Sequence, residues 1–153
     1  MEKRVGYKRY TAKLSEFYCF LDNNFSIELY PTNKPYNFIC ELEPISLYGQ
    51  WSVALTQLSV KYTTAPSEPI NLLSRVVDDS PSRIANYHQN SILRRIALEE
   101  NATSLKEIYC RPYYISVGVS SLERIPIELV HSDGSYVEDI ANCHVTLHFK
   151  RDE

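Results

Sequence analysis

Glycine is scarce in this chain: four residues among 153, alongside one methionine and one tryptophan. That scarcity excludes a Gly-rich phosphate cradle, and no G-x-S-x-G, H-E-x-x-H or C-x-x-C occurs. No apolar run approaches the ~20 residues of a membrane span, and the N-terminus lacks a signal-peptide core. The four cysteines, Cys19, Cys40, Cys110 and Cys143, are scattered. Their spacing points to free, buried thiols in a reducing compartment, cytoplasm or nucleus. His144 and His148 would converge on a metal only on a helix; on a strand they lie ~13 Å apart, which no single ion spans. A solvated sheet face is expected for them, and His88 and His131 stand alone in loops. The acid pairs Asp78-Asp79 and Glu99-Glu100 read as solvated turns, and Arg94-Arg95 as a surface or interface pair. No catalytic, cofactor or metal site is therefore expected, and the chain does not read as an enzyme.

What the chain has is tyrosine, twelve in all, with short runs of β-branched and aromatic residues. Its length fits one domain that buries roughly two-thirds of its unfolded surface, so neither disulfide nor metal is needed for folding. The organising stretch runs from Tyr36 to Tyr62. Phe38, Cys40 and Leu42 alternate with polar neighbours, which puts them on one face of a strand. Pro44 cannot donate to a ladder, so the strand pauses or becomes an edge there. Tyr48-Gly49-Gln50 is a corner, with Gly49 free to take a positive φ. Trp51, Val53 and Leu55 then share a face, but Leu58, Val60 and Tyr62 have the opposite parity. Keeping both sets inward needs one extra residue, which predicts a β-bulge or bend near Thr56-Gln57. Trp51, a single large ring beside a glycine corner, is expected to anchor the core.

Elsewhere, Phe17–Leu21 is a short apolar run closed by Asp22-Asn23-Asn24. Phe25, Ile27 and Leu29 alternate with polar residues and predict a half-buried strand. Ile70–Val77 reads as a strand, 83–90 as loop, 101–106 as loop, and 108–119 as a β run interrupted by Pro112. Ser91–Glu100 is ambiguous: propensity favours helix, whereas Ile92, Ile96 and Leu98 would share a strand face. A strand is expected there because tertiary pairing overrides propensity. Ile125, Ile127 and Leu129 alternate before the Ser132-Asp133-Gly134-Ser135 turn. Cys143, Val145, Leu147 and Phe149 alternate near the C-terminus. About eight strands with little helix predict an all-β fold, an antiparallel sandwich or barrel.

Charge is uneven. The net charge is −3, yet residues 1–13 carry Lys3, Arg4, Lys8, Arg9 and Lys13 against Glu2 alone, a net of +4. The remainder has 11 basic and 18 acidic residues, a net of −7. A basic arm on an acidic body suits contact with nucleic acid or an acidic partner. The expected organisation is an arm over 1–13, one sandwich domain over 14–150 and a charged tail over 151–153.

FSIELYPTNKPYNFICELEPISLYGQWSVALTQLSVKY resembles a signature in the jelly-roll capsid proteins of Polinton/Maverick elements and adintovirus-like viruses. Pro44, Ile45, Leu47, Gly49, Trp51, Val53, Ala54 and Leu55 stand at its proline-flanked I-x-L-x-G-x-W and V-A/G-L positions, with Gln57-Leu58 where Glu-Ile is usual. RIPIELVHSDGSYVEDIANCHVTLHFKR resembles the same family's closing block: an I-x-I segment, a D-x-G turn, then V-T-L-H-F. Ser91–Ile96 resembles a strand between the two blocks. The resemblance covers roughly half the chain, at its two ends, and the middle is much shorter. It implies a single jelly roll whose motif residues are Phe38, Leu42, Gly49, Trp51, Val53, Leu55, Val145, Leu147 and Phe149. It further implies a penton (minor capsid) protein of the virion: a homopentamer at icosahedral vertices beside a double jelly-roll major capsid protein. The basic arm would then face genomic DNA or a neighbouring subunit. Two other classes fit the composition. A lectin-like binding module would recognise sugar or peptide through Tyr109, Tyr113, Tyr114 and Tyr136. A cupin-like enzyme would need histidines facing inward, whereas His144 and His148 have the outward parity.

Overall fold

The computed structural model describes residues 15–77, 92–99 and 101–152. Among them are nine strands: β1 (Glu16–Asp22), β2 (Asn37–Ser46), β3 (Trp51–Tyr62), β4 (Ile70–Leu73), β5 (Ile92–Ile96), β6 (Ser104–Ile108), β7 (Ile115–Ser116), β8 (Ser121–Val130) and β9 (Ile140–Arg151). The alternation that predicts strands in the organising stretch and near the C-terminus produces the two longest, β3 and β9, of twelve residues each.

Four antiparallel pairings, β1 with β9, β2 with β8, β3 with β6 and β4 with β5, describe one long hairpin whose tip is β4–β5. The hairpin is rolled so that β9 also pairs with β3, and β8 with β4. Two sheets result, ordered β1-β9-β3-β6 and β2-β8-β4-β5, with β7 added beside β3 to make the first five-stranded. This connectivity is a single jelly roll, a sandwich of two antiparallel sheets. Rolling leaves two open sides. One carries the edge strands β1 and β2, the other the edge strands β5 and β6.

The expected parity break in β3 is a bulge. Leu55 pairs with Leu147 and Gln57 with Thr146, so Thr56 is the extra residue. Its hydroxyl donates to Thr146 O at 3.2 Å, and its carbonyl accepts from Tyr109 N–H at 2.9 Å. Trp51, Val53, Leu55, Leu58 and Val60 are all buried as a result. In β2 two additional residues fall between Glu41 and Ile45, where Pro44 sits on an edge strand. Pro126 lies inside β8 opposite Ile39, where a missing N–H would ordinarily harm a ladder. The Ile39 N–H and C=O point instead to the Asn33 side chain, at 3.1 and 3.0 Å. That pair is consequently one whose amides face away from each other, and β2 needs nothing from Pro126. The Asn33 amide also occupies part of the β2 edge that another strand could otherwise join.

The core lies between the sheets. Phe38, Cys40, Val53, Leu55, Val145, Leu147 and Phe149 are buried there, and Leu42 is half-buried against the same cluster. Gly49 takes φ +84° at the corner, a region that L side chains rarely adopt. Trp51 is 3% exposed and donates Nε1–H to Tyr48 O at 2.9 Å, so its polar tip is satisfied inside the corner. Its ring tilts on Phe17 at 5.6 Å, and Phe17 stacks on Phe149 at 4.9 Å.

Several expectations need correction. Residues 92–96 do form a strand, but 104–106, within the loop expected over 101–106, belong to β6. Of the long β run expected over 108–119, Ile108 ends β6 and Ile115–Ser116 form β7, because Pro112 and its neighbours follow a loop. The strand expected over Ile70–Val77 stops at Leu73. Phe25, Ile27 and Leu29 are in consecutive turns, not a strand. Polar groups decide this. The Asn23 side chain accepts from Cys143 N–H at 2.9 Å, extending the β1–β9 ladder by one residue, and the buried Ser26 hydroxyl accepts from Glu41 N–H at 2.8 Å. With Asn23 and Ser26 inside, the apolar side chains between and after them point outward. At the other end β9 runs through Arg151, and Asp152 accepts from the Ser52 hydroxyl at 2.8 Å. Residues 1–14 and 78–91, with the basic arm, Asp78-Asp79 and His88, lie outside the described residues.

Two measurements check this core. Trp51→Ala should cost about 3–5 kcal/mol in chemical denaturation, most of a typical domain's stability, with the corner hydrogen bond lost as well. Melting like the parent would contradict a core role. The thiols give the second. Burial pushes Cys143 far up and, with Cys40 beside it, pushes Cys19 up to about 12; burial also raises Cys40, while Cys110 is exposed. A thiol reagent at neutral pH should titrate one cysteine fast in the native protein and all four after unfolding. The raised values also set a sign. Above the ordinary thiol value the unfolded chain loses protons that the folded chain keeps, so these groups make stability fall as pH rises from about 9.

Candidate functional site

On the outer face of the five-stranded sheet, β1 and β9 bring together Glu16, Tyr18 and His148, and the loop before β7 adds Tyr114. His148 Nε2 lies 2.8 Å from Glu16 Oε1, and Nδ1 lies 2.7 Å from the Tyr114 hydroxyl. A carboxylate can only accept, so Nε2 carries a proton, and a neutral ring accepts the Tyr114 O–H at Nδ1. Tyr18 stacks on the imidazole at 4.4 Å, Tyr114 meets it edge-on at 5.7 Å, and the Lys150 ammonium sits 4.0 Å from the Tyr114 ring centre. The Tyr114 hydroxyl is raised above its usual range by burial first, then by Tyr18 and Glu16. His148 is 7% exposed, which corrects the expectation of a solvated face. His144 remains on that face, exposed, with Asp22 at 3.2 Å. The two histidines have separate partners, and no cluster of metal-ligating side chains occurs among the described residues. Both ring nitrogens of His148 are engaged, by Glu16 and by Tyr114; what the set does is fasten β1 and the 109–114 loop to β9.

The side carrying β1 and β2 has a different character. Phe25 and Leu29 are 64% and 65% exposed in the turns after β1, with Ile27 also open, while Phe20, 74% exposed, shares the outward face of β1 with Tyr18. Phe25, Ile27 and Leu29 line a groove with Glu28, Glu41 and Glu43. Glu41 accepts from the Tyr30 hydroxyl at 2.6 Å and pairs with Arg124 at 3.7 Å. That bond is the main reason the Tyr30 hydroxyl is raised. The opposite side, carrying β5 and β6, has a groove lined by Ile92, Arg94, Arg95, Arg111 and Tyr113. Ile108 and Tyr113 are exposed there, and the Arg94 guanidinium lies 3.9 Å above the Tyr109 ring.

No family model matches the chain, and no curated protein matches it significantly.

Of the residues expected to form the jelly-roll motif, Phe38, Trp51, Val53, Leu55, Val145, Leu147 and Phe149 are buried, Leu42 is half-buried and Gly49 is exposed at the corner. The four tyrosines expected to stack on a ligand do not form one platform. Tyr114 bonds His148 on one sheet, Tyr136 packs on Tyr36 at 5.5 Å beside the other, and Tyr109 lies under Arg94. Lys3, Arg4, Lys8, Arg9 and Lys13 lie outside the described residues. The exposed apolar turn was not foreseen. Its alternation looks like a strand, and only the buried Asn23 and Ser26, whose partners are distant in sequence, reverse its facing.

His148→Ala should destabilise by about 1–3 kcal/mol in thermal or chemical unfolding, because Glu16 and Tyr114 lose their shared partner and Tyr18 its stacking surface. A neutral effect would show that β1 is held by its ladder alone.

Proposed function

We propose that the protein is a structural shell subunit: the penton of an icosahedral virion, five copies closing each vertex beside a double jelly-roll major capsid protein. The observation that carries this reading is the jelly-roll sandwich with an exposed apolar rim at Phe20, Phe25 and Leu29. A monomer gains nothing from holding three large apolar side chains in water, and exposed apolar surface of this kind suits an interaction site. Fully burying each contributes about 1.5–3 kcal/mol, so a repeated contact through this rim is a strong one. The two sequence blocks that resemble Polinton/Maverick and adintovirus-like capsid proteins support the same reading, since they fall on β2–β3 and β8–β9, the strands that form much of both sheets. A sandwich suits a shell because its flat sides pack against neighbours while its loops adapt.

Native mass spectrometry of the purified protein tests it. The expected species is five times the 17.7 kDa chain, alone or on addition of the major capsid protein. A monomer that never enters particles when the two are co-expressed would contradict the reading. The basic arm is assigned to the inner side, against genome phosphates or a neighbouring subunit. Deleting residues 1–13 should leave the melting temperature unchanged and lower incorporation into particles. If phosphate is the partner, DNA binding should weaken steeply with salt, at a slope set by at most about five contacts.

A further inference from the structure

The grooves on the two open sides of the sandwich are lined by charges of opposite sign and are alike in carrying apolar residues. Phe25, Ile27 and Leu29 sit among Glu28, Glu41 and Glu43 on the β1–β2 side. Ile92 and Tyr113 sit among Arg94, Arg95 and Arg111 on the β5–β6 side. Glu28, Glu43 and Arg111 form no ion pair among the described residues. Strand order makes these sides the two lateral ends of one sandwich: β1 and β2 are first in their sheets, and β6 and β5 are last. A tie across the first end, Glu41 N–H to Ser26 Oγ at 2.8 Å, shows that the β1–β2 edges are adjacent in space.

We propose that the partner of each side is the other side of a second copy of this chain. The β1–β2 side of one subunit docks laterally on the β5–β6 side of the next, head to tail. The proposal rests on the shell-subunit reading and specifies its interface. The sign of the charge selects this arrangement over the alternatives. A two-fold contact through either side would put glutamates on glutamates or arginines on arginines, and like charges facing each other across a forming interface are strongly disfavoured. A head-to-tail contact pairs acid with base in every junction, and repeating the same rotation closes a ring. The apolar residues supply attraction once water leaves. The charges supply direction and register. Arg94, already stacked on Tyr109, and Glu41, held by Tyr30 and Arg124, are fixed before docking and lose little freedom in it. Exposed Glu28 and Glu43 then face Arg95 and Arg111.

Charge reversal tests this with the full chain. An acidic-side variant carries Glu28→Arg and Glu43→Arg, a basic-side variant carries Arg95→Glu and Arg111→Glu, and a third chain carries all four. Association is read by sedimentation and native mass spectrometry, and folding by circular dichroism and melting. Each two-residue variant should fold and associate at least tenfold more weakly, and the four-residue chain should regain the parent's oligomer. The last result separates head-to-tail from two-fold contacts, which would stay repulsive in the four-residue chain. Parent association should also weaken between 0.1 M and 1 M salt. A pentamer indifferent to all three variants and to salt would overturn this interface and leave the shell-subunit reading standing. Folded two-residue variants that dissociate, with no recovery in the four-residue chain, would likewise overturn it. A parent chain that never self-associates, alone or with the major capsid protein, would overturn both.

Discussion

Everything in this fold depends on β9 having two partners. Its inward residues Cys143, Val145, Leu147 and Phe149 occupy the middle of the core, while its backbone pairs with β1 on one side and β3 on the other. Without the second pairing the chain would be a long ribbon with one apolar face in water. The β9–β3 and β8–β4 seams turn that ribbon into two sheets facing each other. These contacts join residues far apart in sequence, so loop-closure entropy opposes them and only the continuous apolar core repays it. The bulge at Thr56 belongs to the same constraint, since it keeps both halves of β3 facing the core while β9 stays in register.

The roll also decides where surface is left unfinished. A closed barrel has no edges; this sandwich keeps them on both open sides, β1 and β2 on one, β5 and β6 with the short β7 on the other. Some are blunted, as at Ile39, where the Asn33 amide engages the backbone groups. Others flank grooves lined by apolar residues and by charges of one sign. Fold and exposed apolar surface are thereby connected. The polar residues Asn23 and Ser26 that close the β1–β2 side inward are what push Phe25, Ile27 and Leu29 out.

Much of the fold was legible in the residue pattern. Alternation around Trp51 and along Cys143–Phe149 locates β3 and β9, and the parity switch after Leu55 locates the bulge. Segment 92–96 shows the limit of local propensity. Its residues favour helix, yet β4 offers a pairing edge and the strand forms. Phe25–Leu29 shows the opposite limit, where a two-residue period arises without a strand because hydrogen bonds to Cys143 and Glu41 turn the backbone. The His148 site was illegible for a related reason. Spacing along β9 reveals only His144, whereas its partners Glu16 and Tyr114 arrive from β1 and a loop. The opposed charges of the two open sides could not be seen before the strand order was known, because Glu43 and Arg111 are related only through the roll.

The most direct test of the shell-subunit account is a cryo-EM reconstruction of particles assembled from this chain and a co-expressed double jelly-roll major capsid protein. The account predicts five jelly rolls around each five-fold axis, with Phe25 and Glu43 of each copy facing Tyr113 and Arg111 of the next. Vertices filled by another protein, or jelly rolls absent from the shell, would contradict it.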